Sequence, residues 1–373
     1  MAQRNTLFSK SFVIDPTKGF LPPQIPLSQL ASCSFNDKMR EIARTMPSLL
    51  ARQLLRSTVQ QLEIHFQHAI LEVHNLQQEQ YALLMLTMIA QAYLRENPEH
   101  PANTLPTVLS RNIHHFCNLQ QRPYTLTYRD YILHNWQLID ERNSISLENI
   151  KPVLTFTHSE EETWFIKIHV AVEAACAKAL YAAQQACLLK RPEDGMLMQL
   201  LQDLANSLEE ATQLLNRMQE GCSSHFFLTI LQPLFEGWDQ IHQSAIGEGS
   251  YGVKLNGVNE KYYRYKGISS SQSSIILALD AALGITYPTE TSQHQAPVYM
   301  PHAHMAFVSH LKNYNILSKI THNIDLVNAW EAAREQLKFF RIAHSGFVEV
   351  NSVAFNKIEK SITSTNAAPR AKL

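Results

Sequence analysis

Apolar residues recur along this chain with the 3.6-residue period of an α-helix, in long segments that lack glycine and proline. Only 11 glycines occur, and five of them lie between positions 247 and 267. We therefore predict an all-α fold, with a Gly/Tyr-rich loop over 240–268. The predicted helices cover residues 36–66, 71–97, 104–119, 128–136, 160–189, 195–219, 224–236, 271–284, 301–313 and 324–350.

Two local signals refine this pattern. Residues 120–127 have strand-like character, and Asn256 with Gly257 is typical of a hairpin turn. Ser159 and Glu162 have the spacing of a capping box at the start of the helix over 160–189.

The charge balance argues against nucleic-acid and membrane partners. The chain has 32 Lys and Arg against 33 Asp and Glu, which gives a formal net charge of -1. No basic patch or run marks a nucleic-acid or membrane surface, and no signal peptide is apparent. The five cysteines are scattered, with no Cys-x-x-Cys pair. We therefore expect a cytoplasmic protein, monomeric or weakly homo-oligomeric, that binds a small molecule.

One histidine lies within an apolar stripe of the last long helix, one turn after Arg341. The stripe comprises Trp330, Ala333, Leu337, Phe340, His344 and Phe347. A histidine in such a stripe is usually a hydrogen-bonded core residue. The alternative is an axial ligand of haem iron, with Arg341 beside a propionate.

A second histidine, His169, shares a helix face with Phe165, Val172 and Cys176. It is either a core residue or a distal group above a bound ligand. Glu173, four residues on, either orients His169 or is a buried acid with its own helix partner.

The polar run over residues 267–274 opens an apolar helix. It is either an N-cap cluster or a flexible loop that donates hydroxyl groups to a ligand or cofactor. The sequence contains no dinucleotide-binding, P-loop, zinc-protease or nucleophile-elbow motif.

Five blocks follow one another between about residues 105 and 350 in a specific order. They are Leu109–Asn112 with Tyr128–Trp136, Trp164–Ala175, Phe226–Trp238, the serine-rich loop with Ser271–Ile285, and Met300–His304 with Arg341–His344. Their joint order and spacing resemble those of the indoleamine 2,3-dioxygenases, and we interpret the chain as a divergent, bacterial-type member.

The resemblance implies a domain organisation. A small helical domain with a Pro-rich lead-in is expected over residues 1–123, and a large all-α haem-binding domain over 124–358. Residues 359–373 are expected to form a disordered tail.

The resemblance also implies a haem b cofactor and its contacts. His344 is expected to be the proximal iron ligand, Arg341 to bind a propionate, and Asp280 to brace Arg341. Ser269 falls in the loop beside the haem.

The substrate pocket follows in the same way. Tyr128, Tyr131, Phe165 and Phe227 fall where family members line this pocket. His169 falls at the distal position, which holds Ser in some members and His in others, and is the candidate catalytic residue.

One position departs from the family. Ahead of the Gly237-Trp238 pair, where members have an arginine that binds the substrate carboxylate, this chain has Gln232. A neutral amide cannot form a charge-assisted bidentate pair. Either the substrate differs from free L-tryptophan, or Arg264 or Lys266 substitutes for the missing cation.

The implied activity is insertion of O2 across the C2–C3 bond of tryptophan or a related indole, giving an N-formylkynurenine-type product. Two alternatives remain open. One is a haem monooxygenase or rearrangement enzyme acting on a tryptophan derivative, which Gln232 favours. The other is a non-catalytic haem or gas-binding protein in which His169 is a second axial ligand.

Overall fold

The structure is a computed structural model that describes residues 14–189, 193–241, 251–286, 296–320 and 323–349. It confirms the predicted all-α class. The α-helices are α1 (Ser34–Ala51), α2 (Leu55–Phe66), α3 (Leu76–Arg95), α4 (Thr107–Leu119), α5 (Glu160–Ala175), α6 (Ala177–Leu188), α7 (Asp194–Asn216), α8 (Met218–Gly221), α9 (Ser224–Phe226), α10 (Gln232–Phe235), α11 (Ser274–Leu283), α12 (His302–Asn313) and α13 (Ile324–Glu349).

The strands are short. They are β1 (Thr104–Leu105), β2 (Gln137–Leu138), β3 (Ile150–Lys151), β4 (Val253–Leu255) and β5 (Tyr262–Tyr263). Strand β4 pairs antiparallel with β5, which confirms the predicted hairpin, and parallel with β1. Strands β2 and β3 pair antiparallel.

Two long predicted helices are each divided in two. The segment 36–66 forms α1 and α2, separated at Gln53, whose φ of 54° lies in the left-handed region. The segment 160–189 forms α5 and α6, separated at Cys176.

The strand-like prediction for residues 120–127 is wrong, because no strand forms there. Side chains hold this segment instead of a sheet ladder. Arg122 forms a buried ion pair with Asp130 and donates to the carbonyl of Thr125. Asp130 also accepts from the backbone N–H of Thr127 at 3.0 Å.

Two predicted helices contain π-helical turns. The segment predicted over 128–136 forms a π-helix, Arg129–Leu133. The segment predicted over 224–236 forms α9, a second π-helix, Phe227–Leu231, and then α10. Because a π-turn inserts one residue into a helix, it changes which side chains share a face, and it recurs at functional sites.

Contacts between Cα atoms divide the chain into two compact units. The first comprises residues up to Leu21, Ala171–Gln219 and Ser273 onwards, and the second comprises Pro22–Val170 and Glu220–Gln272. Each unit gathers stretches that are distant in sequence. The boundary expected at 123/124 stays a prediction, and the boundary at 358/359, with the tail expected after it, lies outside the described residues.

Helix α3 forms the centre of the second unit. Sixteen of its side chains are buried, namely Glu79 and every residue from Tyr81 to Arg95. It packs against α1, α2 and α4. No helix in the described ranges is long and apolar enough to cross a membrane.

Helix α13 packs on α7 in the first unit, and α7 also packs on α6. Four members of the predicted stripe of α13, Trp330, Ala333, Leu337 and Phe340, are buried, and His344 is half-buried. The side chain of Phe347 lies outside the described residues.

Candidate active site

A cluster of aromatic rings surrounds His169 in the second unit. The imidazole centroid lies 4.3 Å from the ring centroid of Phe165 and 6.1 Å from that of Tyr128. The ring of Phe165 lies 5.6 Å from Phe227 and 5.8 Å from Phe235. All five side chains are buried. The structure thus brings together four residues predicted from the sequence and adds Phe235, which the prediction missed although it follows Phe227 by two helical turns.

The hydrogen bond of His169 decides which ring nitrogen carries the proton. Nδ1 lies 2.8 Å from the carbonyl oxygen of Phe165, and because a carbonyl only accepts, Nδ1–H is the donor. Burial lowers the pKa of His169 to about 4, so the ring is neutral near pH 7. Nε2 therefore keeps its lone pair, and it can accept a hydrogen bond but cannot donate one.

Tyr131 lies beside this cluster and is held by a carboxylate. Its ring centroid is 5.0 Å from that of Phe235, and its hydroxyl donates to Glu162 Oε1 at 2.7 Å. Glu162 also accepts, each at 2.7 Å, from the backbone N–H groups of Phe156 and Thr157 and from the hydroxyl of Thr157. The predicted capping box is thus only half present, because Glu162 binds this loop rather than the backbone of its own helix N-cap.

The two π-helices position most of the cluster. The first begins directly after Tyr128 and contains Tyr131, and the second begins at Phe227 and leads into α10, which ends at Phe235. Both π-turns therefore lie at the aromatic cluster, and π-turns in α-helices frequently occur at functional sites.

The serine-rich loop contacts the cluster through an amide rather than a hydroxyl. Gln272 Oε1 accepts from the backbone N–H of Tyr128 at 2.9 Å, and its Nε2 donates to the carbonyl of Gly267 at 2.8 Å. Ser269 is exposed, and its hydroxyl lies 2.9 Å from that of Ser271. The sequence prediction named Ser269 and missed Gln272, whose amide can satisfy a donor and an acceptor at once.

Gln232 is separate from these contacts. It is the first residue of α10, its side chain is exposed, and no hydrogen bond of that side chain occurs among the described residues. The two cations suggested as substitutes are already engaged: Arg264 Nε donates to the carbonyl of Tyr251 at 2.8 Å, and Lys266 Nζ lies 2.6 Å from Asp239 Oδ2.

The first unit holds the other predicted residues. Arg341 on α13 forms a short, buried ion pair with Asp280 on α11. His344, one turn further along α13, is half-buried, and its ring stacks at 6.1 Å on that of Phe340. This places the imidazole and the braced guanidinium on neighbouring turns of one helix.

Glu173 is a buried acid of the first unit. It accepts from the hydroxyl of Ser273 at 2.8 Å, and the same hydroxyl caps the start of α11 by accepting from Ile275 N. Glu173 is thus a buried acid, as one of the two interpretations had it, and the partner observed is Ser273 at the N-cap of α11.

The family model described as indoleamine 2,3-dioxygenase matches residues 8–370. The chain belongs to the indoleamine 2,3-dioxygenase family. It is therefore a 2,3-dioxygenase that acts on indole substrates. This assignment favours the dioxygenase over the monooxygenase and the gas-binding protein that the sequence had left open.

Similarity to individual members of the indoleamine 2,3-dioxygenase family extends over most of the chain. The indoleamine 2,3-dioxygenase of Saccharomyces cerevisiae is 27% identical, over 90% of this chain and 78% of its own length. Indoleamine 2,3-dioxygenase 1 of Mus musculus is 29% identical, over 83% of this chain and 76% of its own length. The 6-hydroxytryptophan 2,3-dioxygenase of Fusarium equiseti is 26% identical, over 88% of this chain and 81% of its own length.

Proposed function

We propose that this dioxygenase uses haem b held by His344, and that its preferred substrate is an indole whose side chain has no free carboxylate. The observation that carries the substrate proposal is the composition of the aromatic cluster. Five buried rings meet there, and the position on α10 where the resemblance implies an arginine holds the neutral amide of Gln232.

The donor set of the first unit fits a haem better than a bare metal ion. A bare ion needs three or more protein ligands, and the described residues contain no group of three His, Cys, Asp or Glu that could supply them. A haem would need only one protein side chain as a ligand to its iron. His344 would be that donor, and Arg341, fixed by Asp280, would bind a propionate.

The haem, when bound, supplies the activation of O2 that allows both oxygen atoms to add across indole C2–C3. The protein residues then orient the substrate. The indole ring would stack among Phe165, Phe227 and Tyr128, whose burial excludes water. His169 Nε2 would accept the hydrogen bond of the indole N–H, since Nδ1 already donates to Phe165.

The side chain of the substrate meets a different environment. A carboxylate entering this apolar cluster would lose its hydration without gaining a cation, which is costly. Arg264 and Lys266 do not offer a free replacement, because each is already engaged on its own loop. A neutral or cationic side chain avoids this loss of hydration.

The test is purification with haem supplementation, a visible spectrum, and turnover assays with ascorbate and methylene blue. We expect one haem per chain and oxidation of the indole ring. Tryptamine and tryptophan amide should give a higher kcat/KM than L-tryptophan. Tryptophan amide is the matched control, because it differs from L-tryptophan only in replacing the carboxylate with a neutral group.

Two outcomes would contradict the proposal. A protein that retains no haem would refute the cofactor assignment. A kcat/KM for L-tryptophan at or above that for tryptophan amide would refute the substrate preference while leaving the dioxygenase activity intact.

A further inference from the structure

A surface pocket of about 560 Å³ lies in the second unit, and none of its lining residues belongs to the candidate active site. One wall is a face of α4 that carries Arg111, His114, His115 and Asn118. These positions follow the i, i+3, i+4, i+7 spacing that places side chains side by side on a helix. The pocket has the size of ordinary small-molecule sites.

Apolar residues also line the pocket. Leu119 is the last residue of α4, Ile70 precedes that helix in the chain, and Gly257 and Val258 belong to the turn of the β4–β5 hairpin. Gly257 has a φ of 69°, and a Cβ there would come within 2.5 Å of Thr107 Cγ2 at the start of α4. The hairpin turn is thus packed directly on the helix, so the pocket is formed without a ligand.

Arg111 supplies a positive charge to the pocket. It is half-buried, and within the part of the chain that the structure describes its guanidinium makes no hydrogen bond or ion pair. No Asp or Glu lines the pocket. Nearby acids are engaged elsewhere: Glu63 accepts from Thr107 N at 2.6 Å, and Glu260 is ion-paired with Lys254.

His114 adds an oriented donor. The hydroxyl of Tyr124 donates to Asn118 Oδ1 at 2.7 Å, so the amide NH2 of Asn118 faces His114 Nε2 at 2.9 Å and donates to it. Nδ1 must then carry the proton of the neutral ring, and no other residue in the described ranges uses this N–H group. Burial and the neighbouring His115 lower the pKa of His114.

We propose that this pocket binds a small organic carboxylate with an apolar body. The planar fork of Arg111 matches a carboxylate in a bidentate pair, and His114 N–H supplies a further donor. The apolar side chains of Ile70, Leu119 and Val258 would contact the rest of the ligand. This inference does not depend on the haem or on the substrate preference, because the pocket shares no residue with either site.

The test uses a pair of probes that share the same phenyl group and chain length and differ in charge. 3-Phenylpropionate and the neutral 3-phenylpropanol are titrated into the holoenzyme, and the imidazole signals of His114 and His115 are followed by NMR. His114→Gln and His115→Gln assign these signals. We expect saturable shifts with the carboxylate, with a Kd on the order of 1 mM or below, and at least tenfold weaker binding of the alcohol.

Arg111→Gln should weaken binding of the carboxylate by about ten- to a hundredfold, the effect of losing a charge-assisted hydrogen bond. The affinity of Arg111→Lys for the carboxylate should lie between those of the unmodified protein and Arg111→Gln, since lysine keeps the positive charge but lacks the planar guanidinium that forms a bidentate pair. Arg142→Gln is the control, because it removes an exposed arginine of the same unit that is paired with Asp140. Thermal unfolding of each variant verifies that it is folded.

Several results would overturn the proposal. These are equal affinity for the acid and the alcohol, no saturable shift of either histidine, or equal losses from Arg111→Gln and Arg142→Gln. Inorganic phosphate that binds as tightly as 3-phenylpropionate would refute the role assigned to the apolar side chains.

Discussion

Tyr131 donates its hydroxyl hydrogen to Glu162 Oε1 at 2.7 Å, and this bond completes a set of four donors around a buried carboxylate. Each oxygen of Glu162 accepts two of the four. Burial raises the pKa of Glu162, and the donors act against that rise by stabilising the charged form. The pair therefore fixes a ring that borders the aromatic cluster without placing a free charge in it.

Tyr131→Phe should lower the free energy of unfolding by about 1–2 kcal/mol, because it leaves one lone pair of Glu162 without its donor. The ring contact with Phe235 is kept, so we expect KM for the indole substrate to change little. Urea unfolding and steady-state kinetics measure the two effects. Tyr263→Phe is the control, since its hydroxyl bonds to Asn259 on a partly exposed loop. Equal losses in both variants would contradict the role given to Glu162.

The neutral His169 makes a prediction about pH. Its pKa is about 4 in the folded protein against about 6.5 in the unfolded chain, so acid protonates the unfolded state first. The folded state should therefore lose about 2 kcal/mol of stability through this residue between pH 7 and pH 5. His169→Gln should remove that part of the pH dependence, and the exposed His65→Gln should not. Unfolding curves at several pH values test this, and parallel profiles for His169→Gln and the unmodified protein would rule it out.

The two histidines should differ in their effect on the cofactor. His344→Ala should abolish or severely weaken haem incorporation, because an axial donor is lost. His169→Ala should keep the haem and alter turnover, since Nε2 is assigned to the substrate. The haem-to-protein ratio and the Soret band measure haem incorporation in each variant, and steady-state kinetics measure turnover. His310→Ala on α12 is the control. Equal haem loss in the His169 and His344 variants would indicate bis-histidine ligation instead.

Periodicity was a good guide to where helices lie and a poor guide to where they are interrupted. The break at Gln53 and the break at Cys176 occur without glycine or proline, so no residue type marks them. Both π-turns escaped prediction for a similar reason. Neither Arg129–Leu133 nor Phe227–Leu231 contains glycine or proline, so the extra residue of each π-turn leaves no mark in the linear pattern.

The site was predictable to the extent that residue type limits the chemistry. The resemblance indicated Tyr128, Phe165, Phe227 and His169, and the structure brings these four together. It could not indicate Glu162, because a glutamate in a capping position has an ordinary local partner. Its actual partners are brought near it only by the tertiary fold.

Gln232 gives the most direct test of substrate preference. It is the exposed first residue of α10, so an arginine there should be accommodated without disturbing the core. A charge-assisted hydrogen bond is stronger than a neutral one by about 1 kcal/mol or more, so Gln232→Arg should raise kcat/KM for L-tryptophan by about tenfold. Tryptamine has no carboxylate, and its kcat/KM should stay flat or fall. Gln240→Arg adds the same charge at another exposed position of the unit and should leave kcat/KM for both substrates unchanged.

If Gln232→Arg gives no selective gain, and the unmodified enzyme already oxidises L-tryptophan efficiently, the carboxylate is bound elsewhere. Arg264 and Lys266 would then be the next residues to replace, because they are the cations nearest in sequence to the serine-rich loop.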